Sequence, residues 1–367
     1  LTGGTGIEHT AAGDVTATSG TITATATTNN ISMADGTRYS AGGDVTLIAA
    51  NDVELGRVEA GANTITVTAD SDNTAGGAIS DNNSEVKANG SEEENLVGGN
   101  LTLTAGGAIG TAGNADIDTA AASISADTTD GGIDIDNTSA FAVTVTSLTS
   151  TNSASNASGD IRFDQSGGGA VTFSTVTTNN GAITLTNTDA GLSVSGPITA
   201  GGTGKNLTLT TFGSGDITLT GTTTATDDEV HITSAGAIDG AGLVTAAIAD
   251  LDAATGIGDT TALELATARI SADTTDGGID IDNTSASAVT VTSLTSTNSA
   301  GNASGDIRFD QSGGGAVTFS TVTTNDGAIT LTNTNAGLSV SGPITAGGAG
   351  NAVNLDAAGL LHIAAAV

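Results

Sequence analysis

The sequence predicts an all-β chain folded as a parallel β-helix, a β-solenoid with three short strands per coil of about 22–25 residues. Three observations lead there. Apolar and polar residues alternate in short runs such as "ITLTN" (183–187), "LSVSG" (192–196) and "VTFST" (171–175), the period of a strand with one buried face. Gly, Asn and Asp bound those runs, as turn residues do. The chain also copies itself: residues 124–202 return at 270–348, and over 79 aligned positions only Phe141/Ser287, Ser155/Gly301, Asn180/Asp326 and Asp189/Asn335 differ. No segment shows helical spacing.

The strands follow in order. Residues 159–180 give strands at 161–165, 171–174 and 176–178. Residues 181–205 give 183–187, 192–195 and 198–200, and the next unit gives 207–211, 217–220 and 222–224. Aligned first strands put Ile133 and Ile135, Ile161 and Phe163, Ile183 and Leu185, Leu207 and Leu209, and Val230 and Ile232 inward, so apolar columns run along the stack. The residue closing each of those strands reads Asn137, Gln165, Asn187, Thr211 and Ser234, a polar column expected to form a hydrogen-bonded ladder at the corner.

Outward, Asp134 is expected to face Arg162 one coil on, and Asp280 to face Arg308. At the roughly 4.8 Å spacing of stacked strands these make surface salt bridges worth about 0.5 kcal/mol each. A lone coil buries too little apolar surface to offset the entropy of ordering it, so stacking is what makes the array stable. The chain is long enough for about 15 or 16 coils, a rod of roughly 75 Å.

Composition agrees. Of 367 residues, 53 are Gly, aromatics are 2%, and Trp and Cys are absent, so the core must be thin and built from small and β-branched groups. Low aromatic content and a net charge of −33 are also features of disordered chains, but disorder gives no reason for a period of two. With 7 basic against 40 acidic residues, phosphate-led nucleic-acid binding is excluded and docking to an anionic membrane is disfavoured. No run reaches the roughly 18 apolar residues of a membrane span. The chain starts at Leu1 without a signal peptide, which suggests a processed product or a piece of something longer.

The pattern reads as a single continuous solenoid over residues 1–367, interrupted by loop excursions near 81–95, 149–160 and 295–306. Residues 247–270 fit the coil less cleanly and read as a seam between the duplicated blocks.

The phrases "GGDVTLIAANDVELGRVEAGANTITVTA" (42–69), "GGNLTLTAGGAIG" (98–110) and "GAITLTNTDAGLSVSGPITAGG" (181–202) resemble the repeats of filamentous-haemagglutinin-like large exoproteins, bacterial surface adhesins often exported by two-partner secretion. The resemblance covers most of the chain, in repeat style. It implies a right-handed coil displayed outside the cell as an adhesin stalk or fibre. The family's amino-terminal secretion domain has no counterpart in these 367 residues.

Candidate sites are few. "DTTDGGIDIDN" gathers Asp127, Asp130, Asp134 and Asp136, repeated as Asp273, Asp276, Asp280 and Asp282. Calcium favours several carboxylates beside Gly turns, but the glycine spacing of nine-residue calcium repeats is missing, and a solvated acidic edge is the plainer reading. No resident cofactor is expected. Asp134, Arg162 and Asp164 fall on adjacent coils as an enzyme's acids would, yet Asp280, Arg308 and Asp310 reproduce them, which marks a lattice. His9, His231 and His362 are scattered, without a nucleophile in sequence. Outward Thr184 and Thr186, then Thr208 and Thr210, recur as in ice-binding solenoids, but Arg162, Asp164 and His231 break the column. No catalytic residue is expected.

The leading expectation is therefore an extracellular or cell-surface structural protein, stacking end to end with copies of itself through open strand edges. Residues 1–7 start in mid-pattern and 359–367 are still apolar. The alternative is a carbohydrate-binding or carbohydrate-cleaving β-helix, which needs exposed aromatics or clustered acids in a groove. Phe163, Phe173 and their copies are expected to point inward. Host or surface glycans remain the partners such a surface would meet.

Overall fold

Alternating β-branched and small residues form strands that pair in parallel with strands a coil away, in register in pairs such as Ile161–Ser166 with Ile183–Asn187 and with a local slip in others such as Ile117–Thr128 with Val143–Ser150. The computed structural model describes residues 1–367 except 75, 88–89, 91, 114, 152–158 and 298–304. It is an all-β parallel β-solenoid of about 15 turns, and no helix occurs among the described residues. The chain divides into two compact units, residues 1–188 with 200–202, and residues 189–199 with 203–367.

In the first unit one buried column runs Ile31, Val53, Ile79, Ile109, Ile133, Ile161 and Ile183, each the register partner of the next. A second runs Ile22, Val45, Ile65, Leu101, Ile124 and Val145. A third changes character along its length. Tyr39, Val58 and Leu96 are followed by Thr119, Asn137, Gln165 and Asn187, all buried. The expected polar ladder is thus the continuation of an apolar column. Asn137 Nδ2 donates to Gln165 Oε1 at 2.7 Å, and Thr119 Oγ1 donates to Asn137 Oδ1 at 2.7 Å.

In the second unit Leu192, Ile217, Ile238, Ile257, Ile279, Ile307 and Ile329 form an equivalent buried column. The steps from Ile217 to Ile238, Ile257 and Ile279 are 21, 19 and 22 residues. Some coils are therefore tighter than the expected 22–25 residues. Stacking of Leu207 and Leu209 under Val230 and Ile232 is as expected. Asn283 Nδ2 donates to Gln311 Oε1 at 2.8 Å, repeating the ladder of the first copy.

Two local features were not legible. Consecutive short strands often run together around a corner, as in Ile117–Thr128, Thr223–Ser234 and Leu263–Thr274. Residues 247–270, read as a seam, lie within or between regular rungs: Val244–Ala253 pairs in register with Leu263–Thr274. Small side chains such as Ala249 and Ala272 fill the core there, which weakens the hydrophobic signal without breaking the fold. Buried Thr and Ser also close the corners, with Thr128 Oγ1 and Ser150 Oγ both donating to the Gly131 carbonyl at 2.8 Å.

Of the excursion expected at 81–95, Asp81 closes the strand Ile79–Asp81, Val86 and Glu92 form an antiparallel bridge, and residues 88–89 and 91 lie outside the described residues. The centres of the excursions at 149–160 and 295–306 also lie outside them. Their beginnings, Thr149 with Ser150 and Thr295 with Ser296, complete the strands Val143–Ser150 and Val289–Ser296.

Candidate functional site

Among the described residues, two sets of three side chains bring ligand-type atoms within 4.8 Å of one another: Asp116, Asp134 and Asp136, and Glu229, His231 and Asp250. The first arises from register. Alternation in Ile133–Thr138 turns Ile133, Ile135 and Asn137 inward and leaves Asp134 and Asp136 on the outer face. On the preceding rung Ile117 partners Ile135 and Asp118 partners Asp136, so Asp116 stands beside Asp134. On the following rung Arg162 partners Asp134 and Asp164 partners Asp136. Two rows result, Asp116–Asp134–Arg162 and Asp118–Asp136–Asp164.

Burial makes the first row unusual. Asp116 is 9% exposed and Asp134 only 7%. Asp134 Oδ1 and Asp136 Oδ1 are buried and, among the described residues, accept from no N–H or O–H donor. The expected ion pair between Asp134 and Arg162 is corrected: their register is as read, but the Arg162 guanidinium donates to Asp164 on its own strand. Desolvation pushes the Asp134 carboxyl up to about 6, with Arg162 opposing and Asp116 and Asp164 reinforcing. Burial also raises Asp118 to about 7, helped by the charges of Asp116, Glu92 and Asp81. Asp136 is raised by burial, then by the charges of Asp116 and Asp164 and by a side-chain hydrogen bond with Asp116, with Arg162 opposing.

The second copy of the repeat supplies a comparison within the same chain. Leu263 partners Ile281 and Glu264 partners Asp282, so Ala262 occupies the place of Asp116 and Glu264 that of Asp118. There the expected salt bridge forms: Arg308 reaches Asp280 at 3.2 Å while also pairing with Asp310. Asp282 Oδ1, like its counterpart Asp136 Oδ1, is buried and accepts from no N–H or O–H donor among the described residues.

The acidic edge read as Asp127, Asp130, Asp134 and Asp136 is therefore split. Asp127 lies exposed at the end of Ile117–Thr128, with Thr149 as its register partner, and Asp130 occupies the turn that follows. Asp273 likewise partners Thr295, and Asp276 sits in the next turn. Asp116 and Asp118 were missed. The usable signal was the apolar Ile117 between two acids, which aligns with Ile135 once the coil length is known.

Two members of the second set, His231 and Asp250, form a relay with Thr233 on the outer face. His231 Nδ1 contacts Asp250 Oδ2 at 3.1 Å, and His231 Nε2 contacts Thr233 Oγ1 at 3.0 Å. Ser271 Oγ donates to the other oxygen of Asp250. Sequence spacing hid the Asp250 partner, which arrives from the next rung. Asp–His–Thr order resembles a hydroxyl-activating triad, but acyl transfer needs free N–H donors beside the hydroxyl. Here the strand Thr223–Ser234 pairs on both sides, with Leu207–Thr211 and Val244–Ala253.

Aromatic side chains are mostly inside. Phe163 and Phe173 meet edge to face at 5.5 Å, and Phe309 and Phe319 at 5.4 Å, all fully buried. Phe141 and Phe212 are exposed. Among the described residues, the recess bounded by Asp35, Asp81, Asn83 and Glu92 has no aromatic lining. No protein-family model matches the chain, and neither a curated protein nor a solved structure matches it.

Proposed function

We propose that this chain is a structural segment of a bacterial surface fibre or adhesin stalk of the filamentous-haemagglutinin-like kind, displayed outside the cell. The observation that carries this reading is the faithful repetition of one rung plan. Ile133, Ile161 and Ile183 in one copy are matched, partner for partner, by Ile279, Ile307 and Ile329 in the other. A unit reproduced in this way builds length, whereas catalysis needs one distinctive site. The acidic surface, from a net charge of −33, suits solubility and repels anionic polymers.

End-to-end association belongs to the same proposal. Leu361 and Ile363 partner the buried Leu338 and Val340, yet are 40% and 51% exposed. The column is dry wherever a further rung covers it, and a rung from this polypeptide or another copy would bury these two side chains.

Immunolabelling of intact producing cells and electron microscopy of the purified chain test the reading. Surface label, and fibres with a meridional spacing of about 4.8 Å, are expected. Label confined to the cell interior, or discrete particles that never associate, would overturn it.

A further inference from the structure

We propose that Asp116, Asp134 and Asp136 form a binding site for a hard divalent cation, calcium above all, on the outer face of the first copy of the repeat. Three carboxylates contribute oxygens within 4.8 Å of one another. Two oxygens bound to one calcium ion at 2.3–2.6 Å lie at most about 5 Å apart, so the cluster is the right size to share an ion. An independent observation points the same way. Asp134 is more than nine-tenths buried, and its Oδ1 has no hydrogen-bond partner among the described residues. Buried carboxylates are ordinarily paired, hydrogen-bonded or bound to metal.

The chain contains its own contrast. Both copies place an arginine one rung beyond the first aspartate of the pair, at Arg162 and Arg308. Where Ala262 stands on the preceding rung, Arg308 neutralises Asp280 at 3.2 Å. Where Asp116 stands there, a third carboxylate joins the pair and Arg162 is held by Asp164. The added acid crowds a third carboxylate onto this rung, and the neighbouring copy shows that acid to be dispensable for folding the same rung. A cation reverses that penalty.

Ligand chemistry narrows the ion. The cluster offers oxygen alone, without His or Cys, which disfavours zinc and copper. Carboxylates fixed by a strand ladder suit the irregular shell of calcium better than the strict octahedron of magnesium. Water would complete the coordination.

The test is calorimetric titration of the chelator-stripped chain with calcium chloride, paired with thermal melts with and without calcium. One saturable site and a calcium-dependent rise in Tm are expected. Asp116→Ala, which copies the second repeat, should weaken that site at least tenfold and abolish the Tm rise, while melting no lower than the parent without calcium. Asp134→Asn should lose the site too and preserves side-chain shape, which guards against a folding defect. Asp280→Asn should leave binding unchanged. Absence of a saturable site in the parent would overturn the proposal. So would equal binding by Asp116→Ala, or equal loss in Asp280→Asn, since both describe diffuse attraction to an acidic surface.

Discussion

Asn137 and Gln165 sit one above the other in the interior, 1% and 0% exposed, joined by a 2.7 Å bond from Asn137 Nδ2 to Gln165 Oε1. Asn137 Oδ1 also accepts from the Ala121 amide at 3.0 Å. Asn137→Ala would remove this acceptor from the Ala121 amide and from Thr119 Oγ1, and the donor from Gln165 Oε1, at about 1–3 kcal/mol for each buried group left unsatisfied. Urea unfolding should show a loss of about 2–4 kcal/mol. Thr138→Ala, one residue on and exposed, should change stability by less than about 0.5 kcal/mol. Equal effects from the two variants would show that the ladder contributes nothing special.

The aromatic pair Phe163 and Phe173 gives a second measurement. Phe163 lies in a column between Ile135 and Leu185, so Phe163→Leu places a side chain already native to that column. It should cost about 1 kcal/mol, against about 3–5 kcal/mol for Phe163→Ala. Chemical denaturation of both variants checks the ratio. A Leu variant as unstable as the Ala variant would mean that the edge-to-face contact, more than volume, sets the packing.

Two glycines separate strain from collision. Gly61 has φ +58° with open space where a Cβ would point, whereas Gly277 has φ +105° and a Cβ there would lie 1.8 Å from the Thr255 carbonyl oxygen. The Gly277 carbonyl also accepts from Thr274 and Ser296 at the corner. Gly61→Ala should cost roughly 1–2 kcal/mol, the left-handed penalty alone. Gly277→Ala should cost more and open the neighbouring rungs to hydrogen exchange. Similar protection in both variants would refute the assigned collision.

Tyr39 is the single tyrosine in a chain without tryptophan, so its titration can be read directly by ultraviolet absorbance. It is fully buried, and its hydroxyl lies 2.5 Å from His9 Nε2. Burial pushes its pKa up to about 12. A raised folded pKa favours the neutral phenol, so this stability is complete below the unfolded value of about 10 and is lost as pH climbs through 12. Stability should fall along that alkaline limb, and Tyr39→Phe should flatten it. A phenolate appearing near pH 10 in the folded chain would contradict the burial argument.

The rung plan was readable because two signals agreed at Ile161–Ser166 and Ile183–Asn187: alternation gave the inward face, and like residues recurred a coil apart. Corners were harder. At Val143–Ser150 the pairing slips relative to Ile124 and Ser125, and the alternation that marks a strand continues through the bend. The acid cluster was only half visible. Asp134 and Asp136 share a strand, but Asp116 reaches them through register, and register depends on a coil length that varies. Arg162 shows the same limit from the other side: its position followed from the pattern, whereas its choice of Asp164 over Asp134 depends on rotamer and local charge.

The near-identity of residues 124–202 and 270–348 creates an ambiguity for a folding chain. Wherever rung interiors are the same, a segment of one molecule is an acceptable substitute for its twin, in the same molecule or another. Correct assignment then falls to the four internal differences and to the flanking residues, where Asp116 stands against Ala262 and Asp118 against Glu264. Crowded refolding should accordingly yield exchanged dimers, in which perfect local pairing conceals a swapped identity.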